Sequence, residues 1–195
     1  MLKKGLGILA ILICFSFSFK IIWKENLQHY IPQTQEREIK NNLLELPFIA
    51  SDSSVKYLHF FDEACLNSRI NIEHIQRVSH DYQTKANFFL INASQLSDFE
   101  LKKKYNIPGY FKIVNDLGGE IARFCGIKTT PYALVTSPGV GSFYGNYNNS
   151  SGLCGASDII YSGPAVALNF LVNHKKLPLT PAFQTSQIGC KININ

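Results

Sequence analysis

The apolar positions along this chain form runs whose period changes from one segment to the next. Val55–Phe61 (VKYLHFF) is dense in β-branched and aromatic residues, which predicts a buried strand. Cys65 follows four residues later and opens a segment in which Ile70, Ile72, Ile75 and Val78 recur at near-helical spacing. Residues 87–91 (NFFLI) predict a second strand and 95–105 a helix. Pro108-Gly109 interrupts the chain, and 117–124 is a short helical candidate. Residues 132–136 and 141–147 read as two antiparallel strands on either side of a Pro138-Gly139 turn. Residues 148–162 are loop-like, rich in Asn, Ser and Gly, and Pro164 opens a final helix through Ala165, Val166, Leu168, Leu171 and Val172. The order is strand, helix, strand, helix, then strand, strand, helix. It predicts an α/β domain: a parallel crossover unit joined to an antiparallel hairpin, giving a mixed sheet flanked by helices.

The amino terminus follows another pattern. Residues 5–19 are almost wholly apolar after Lys3 and Lys4; Lys20 interrupts, then Ile21, Ile22 and Trp23 resume before Lys24. A spanning helix needs roughly 20 apolar residues, which 5–23 supplies if Lys20 snorkels to the interface beside Trp23. Residues 1–24 are therefore read as a transmembrane anchor. The alternative is a cleaved signal peptide, with Ser16-Phe17-Ser18 as a small-x-small cleavage site. The apolar residues beyond Lys20 favour the anchor. Either reading sends the domain out of the cytoplasm: a single-pass inner-membrane protein facing the periplasm, or a protein released there after cleavage. Cys14 lacks small residues before it and reads as an apolar side chain in this segment. Residues 25–46 are polar and mixed and read as a tether, 47–176 as the domain, and 177–195 as a C-terminal tail.

Charge adds one exclusion. The formal net charge is +5, from 19 basic and 14 acidic residues. Lys3, Lys4, Lys20 and Lys24 all precede the first acidic residue, Glu25, so the rest of the chain carries 15 basic against 14 acidic residues, or +1. A nucleic-acid partner needs a basic patch on the folded domain, and the run Lys102-Lys103-Lys104 reads instead as a solvated helix end. His29, His59, His74, His80 and His174 are scattered without ligand spacing, so no metal site is expected. No phosphate loop, dinucleotide fingerprint or Ser-His-Asp motif is visible, and no cofactor is implied.

The run Phe124-Cys125-Gly126-Ile127-Lys128-Thr129-Thr130-Pro131, with the strand Tyr132-Ala133-Leu134-Val135 after it, resembles the segment of the thioredoxin superfamily that carries its cis-proline. Phe143-Tyr144-Gly145 resembles the strand that follows there, and Ala64-Cys65-Leu66-Asn67-Ser68-Arg69 stands where that family has its nucleophile loop. The resemblance covers roughly residues 47–176. It implies a thioredoxin-like mixed sheet, Cys65 as nucleophile, Pro131 as cis-proline, and a protein thiol or disulfide as partner. In particular, the chain resembles a membrane-anchored envelope member that lacks the second cysteine of Cys-x-x-Cys, because Ser68 occupies that place. The peroxiredoxin pattern of Pro, Thr and Cys before the nucleophile is missing.

Without a second cysteine in the loop, the resemblance implies monothiol redox chemistry at Cys65, and the other class of reading is a catalytically silent binding or assembly module. Cys65 at a helix start gains thiolate character from the dipole; Asp62 and Glu63 oppose it and Arg69 partly compensates. The backbone of Thr130 beside Pro131 could pair with an extended peptide by strand addition. Cys125 stands on the cis-proline side in that register, either as a resolving thiol for Cys65 or as a small buried residue. Cys65, Cys125, Cys154 and Cys190 allow three pairings. The Gly-rich loop contexts of Cys154 and Cys190 favour a structural bridge between them, tying down a tail with few periodic apolar residues. By chain entropy such a bridge contributes about 3–4 kcal/mol.

The anchor reading predicts that the mature protein begins at or near Met1 and pellets with membranes. Intact-mass measurement checks it, and a start near Phe19 would establish a signal peptide instead.

Overall fold

Seven consecutive buried residues, Val55–Phe61, form strand β1. Helix α1 (Leu66–His80), strand β2 (Ala86–Asn92), helix α2 (Asp98–Tyr105) and strand β3 (Phe111–Asn115) follow. Next come helix α3 (Glu120–Phe124), the short strand β4 (Thr129–Thr130), strands β5 (Tyr132–Ser137) and β6 (Gly141–Gly145), helix α4 (Gly163–Val172) and the short strand β7 (Cys190–Lys191). The five-stranded sheet has the order β3-β2-β1-β5-β6. β1 pairs with β2 in parallel and with β5 antiparallel. This is the mixed α/β, thioredoxin-like arrangement of a parallel crossover and an antiparallel hairpin. A second, two-stranded sheet joins β4 to β7 antiparallel.

The computed structural model describes Phe15, Ser16, Ser18, Leu46, Phe48, Ile49 and residues 53–147, 162–177 and 189–192. The chain divides into two compact units, Met1–Pro32 and Gln33–Asn195. In the first, Phe15, Ser16 and Ser18 are helical. The rest of the predicted anchor lies outside the described residues, and among those described no helix is long and apolar enough to cross a membrane. In the second unit Leu46, the last residue of the predicted tether, already packs in the core with Ile49.

The apolar runs of β1 and β2 arise because the sheet is covered on both faces. Alternate residues serve opposite sides: Val55, Tyr57, Phe61, Phe88 and Leu90 pack in one cluster, and Leu58, Phe60, Phe89 and Ile91 in the other. α1 buries Ile72, Ile75 and Val78, but Ile70, expected on the same stripe, is exposed. α2 starts at Asp98, not at 95, because Ser97 and Glu100 form a capping box. β3 was missed by the pattern. It is a five-residue edge strand in which Phe111 is the one buried side chain, so its apolar signal is weak. The hairpin turns through Val140 N–H donating to the Ser137 carbonyl, with Gly139 at φ 74°. β6 ends at Gly145, two residues short of its predicted end, and Tyr147 turns into the core.

That turn completes a buried polar cluster between sheet and helices. The Tyr57 hydroxyl donates to the Tyr147 hydroxyl at 3.1 Å, and His59 Nδ1 pairs with the same hydroxyl. The His74 ring stands edge-on to Tyr147, and its Nε2 pairs with Ser162 Oγ at 2.9 Å. Ser162 is also the N-cap of α4. His59 Nε2 is buried without a partner among the described residues, so a proton there would leave an unsatisfied charge. Burial, with repulsion from His74, pushes His59 down to about 3; burial, with Arg77 nearby, pushes His74 down to about 4.

Both histidines are neutral in the fold while the unfolded chain protonates them near pH 6.5, so the unfolded state takes up more protons as pH falls. Stability is therefore fully present above about pH 6.5 and declines by about 1.4 kcal/mol per pH unit for each histidine as pH drops toward 4. Urea melts at pH 7, 6 and 5 measure the slope. His59→Phe should lower it by about 1.4 kcal/mol per unit, and an unchanged slope would show that His59 does not carry it.

Candidate functional site

Cys65 is the N-cap of α1, at the end of the loop that leaves the central strand β1. Its carbonyl accepts the first helical hydrogen bond, from Arg69 N–H at 3.2 Å, and its own N–H donates to the Asp62 carbonyl at 3.1 Å. The loop is built of such local ties. Asp62 Oδ1 accepts from Ala64 N–H at 3.0 Å, and Arg69 Nη1 donates to the Glu63 carbonyl at 3.0 Å. Lys104, at the end of α2, donates to the Glu63 carboxylate at 2.7 Å and is the main reason that carboxyl is held below its usual range. Glu63, expected to work against a Cys65 thiolate, thus has its charge engaged by a lysine of the run read as a solvated helix end.

Ser68, in the place of a second loop cysteine, is buried, and its Oγ accepts from Asp62 N–H at 3.4 Å. The hydroxyl contributes to the shape of the loop. No sulfur in the loop is available to resolve Cys65.

Cys65 is disulfide-bonded to Cys190, 125 residues away, with their Cα atoms 5.8 Å apart. This corrects the expected Cys154–Cys190 bridge; Cys154 lies outside the described residues. The tail, read as having few periodic apolar residues, is also held by backbone pairing. Thr129 pairs with Lys191 and Thr130 with Cys190, and Ile192 N–H donates to the Lys128 carbonyl at 2.9 Å. Gly189 lies at φ 154°, and a Cβ there would stand 2.2 Å from the Thr130 carbonyl oxygen. Only glycine permits so close an approach of two backbones.

Thr130-Pro131 is a cis peptide bond, as the resemblance implied, and Cys65 Sγ lies 3.4 Å from the Thr130 carbonyl oxygen. The bonded sulfur has no proton to give. In the reduced form this geometry lets the Cys65 thiol donate to that carbonyl, while the helix start behind it favours the thiolate. The two influences oppose each other.

Cys125 is free and buried, and it packs among Leu46, Phe60, Ala122 and Ile192. Burial, with the Asp116 charge nearby, pushes its thiol up to about 12. Asp116 is held there because its carboxylate accepts from Ile121 and Ala122 N–H, both at 2.9 Å, at the start of α3. Of the two readings of Cys125, the buried one describes its surroundings, and it is not the cysteine bonded to Cys65. Among the described residues no group of three or more His, Cys, Asp or Glu could hold a metal ion. The residues missed in sequence were Gly189 and the pairing role of Cys190. A signal was present: Ile188, Cys190 and Ile192 alternate with Gly189 and Lys191, the period of a strand.

No protein-family model matches the chain, and no curated protein matches it. Solved structures do. A hypothetical protein from Sinorhizobium meliloti overlays with a TM-score of 0.59 at 18% identity, over 74% of this chain and 81% of that one. An uncharacterized conserved protein from Geobacillus kaustophilus also gives 0.59 at 18%, over 73% and 78%. A secreted Mycobacterium tuberculosis disulfide oxidoreductase overlays more loosely, at 0.46 and 19%, over 60% and 84%. The first two likenesses show the fold and nothing further.

The site geometry predicts that non-reducing peptide mapping finds Cys65 linked to Cys190; a Cys154–Cys190 peptide would overturn the pairing. In the folded, reduced protein at pH 8, Cys125 should alkylate roughly 100-fold or more slowly than in the denatured chain, because it is buried and un-ionised.

Proposed function

We propose that this chain is an extracytoplasmic thiol–disulfide exchange protein whose redox couple is Cys65 with Cys190, held to a membrane by residues 1–24. One observation carries the reading: the disulfide lies at the start of α1, 3.4 Å from the carbonyl before a cis-proline, where a thioredoxin-like fold offers a nucleophile. The monothiol chemistry suggested by Ser68 becomes dithiol chemistry with a distant resolving partner. A partner thiolate attacks one sulfur of the pair, the S–S bond breaks, and the other sulfur leaves as a thiolate and takes a proton. A second partner thiolate then attacks the mixed disulfide and frees the remaining cysteine, which is protonated in turn. Two electrons pass from the partner dithiol to the couple, and the reverse sequence oxidises a partner.

Leu66 and Ile70 support a protein partner. They are one helical turn apart beside Cys65 and are 56% and 57% exposed. A second reading, a silent module in which the disulfide is a structural clamp, draws on the burial of Cys65, which is 1% exposed.

A glutathione redox titration read by mass separates them. An exchange couple equilibrates with the buffer at a potential above roughly −300 mV, whereas a clamp stays oxidised there. Cys65→Ser and Cys190→Ser should each reduce dithiol oxidation to the uncatalysed rate, and Cys125→Ser should leave it unchanged. Activity surviving in Cys65→Ser would sink the proposal.

A further inference from the structure

The second sheet is separate from the five-stranded one, and its pairing is the kind by which an extended peptide is captured at a backbone edge. β4 offers that edge immediately before Pro131, and Cys190 and Lys191 of the chain's own tail pair along it, with Gly189 against Thr130 and Ile192 N–H donating to the Lys128 carbonyl. Their features differ position by position. Gly189 must lack a side chain because Thr130 lies against it. Cys190 meets Cys65. Lys191 points outward and is exposed, so its identity is not read. Ile192 is buried in the cluster that holds Leu46, Ile49 and Cys125. Gly-Cys-x-aliphatic is thus the sequence that this edge holds in the chain's own tail.

We infer that the tail strand Gly189–Ile192 is a built-in copy of the substrate, so that the β4 edge takes extended protein segments of the form Gly-Cys-x-aliphatic and is closed to them while Cys65–Cys190 is bonded. The inference rests on the exchange reading above and adds to it the partner's sequence and a gate. While bonded, the tail stays at an effective concentration that a free segment cannot match. Once reduced, it is held by the short β4–β7 pairing and the burial of Ile192. Its fit is incomplete: the Thr129 and Thr130 hydroxyls are buried without a partner among the described residues. An occupant of that quality is displaceable.

The test uses the full chain and a fluorescent peptide, Ile-Gly-Ser-Lys-Ile-Asn, in which serine replaces the cysteine so that no disulfide can form. Anisotropy should show at least tenfold tighter binding to the reduced than to the oxidised chain. Reduced Gly189→Val, whose new side chain evicts the tail, should bind at least as tightly as the reduced wild type. Cys190→Ser, which leaves Gly189 in place, should match the reduced wild type and serves if the valine variant does not fold. A peptide with valine in place of its glycine should bind at least tenfold more weakly. Equal binding to oxidised and reduced protein, no binding to any form, or indifference to the glycine would each overturn the inference. The readout involves no electron transfer. A chain whose disulfide resists glutathione but whose edge opens after a stronger reductant would therefore refute the exchange reading while sparing this one, and a couple that cycles without binding the peptide would do the reverse.

Discussion

β1 must be buried on both faces, and the placement of everything else follows from that requirement. A central strand with apolar residues pointing both ways needs a layer above and a layer below, and its backbone needs a neighbour along each edge. β2 and β5 supply the neighbours, one parallel and one antiparallel. α1 packs Ile72, Ile75 and Val78 into one cluster with β1, and Ala122 of α3 joins the other. Once those contacts are set, the loop from Phe61 to Cys65 delivers a helix start to the end of the central strand. The segment before β5 arrives next to it because β5 is the adjacent strand. The meeting of Cys65 with Thr130 is thus a product of sheet order, and the loop chemistry around Ser68, Glu63 and Arg69 refines it.

Much of this was legible in the sequence because burial on both faces writes itself as continuous apolar runs. VKYLHFF and NFFLI could hardly be solvated, and Pro164 marked the start of α4 because proline fits only the first turn of a helix. β3 was not legible, since an edge strand with one buried residue has almost no pattern to read. Ile70 was misplaced for the opposite reason: a hydrophobic residue near a helical stripe looks like core until its neighbours are known.

For the site, Cys65, Thr130 and Pro131 could be found, because the segments that hold them carry the resemblance. The pairing of cysteines could not. It depends on where the tail lies, and that is decided by three features a linear reading does not weigh together: a glycine at a backbone crossing, a two-residue strand, and an isoleucine that reaches the core. The loop contexts that suggested Cys154 for Cys190 described local composition, whereas disulfide formation requires proximity in space. Ser68 shows the same limit from another side. Its identity announced a missing thiol, but only its contact with the Asp62 amide shows what the hydroxyl does there.

The disulfide also changes what kind of object the chain is. Cys65 and Cys190 stand 125 positions apart, from the start of α1 to β7, so the oxidised protein is a covalent ring with β1 and the amino-terminal segment outside it. By chain entropy a ring of that size lowers the freedom of the unfolded state by about 5 kcal/mol. A peptide bond cut within the ring, for instance between residues 147 and 162, opens it without releasing a fragment. The same cut in the reduced chain yields two separate pieces. Whether a nick by a protease is a scar or a severance is then decided by the oxidation state of a single bond.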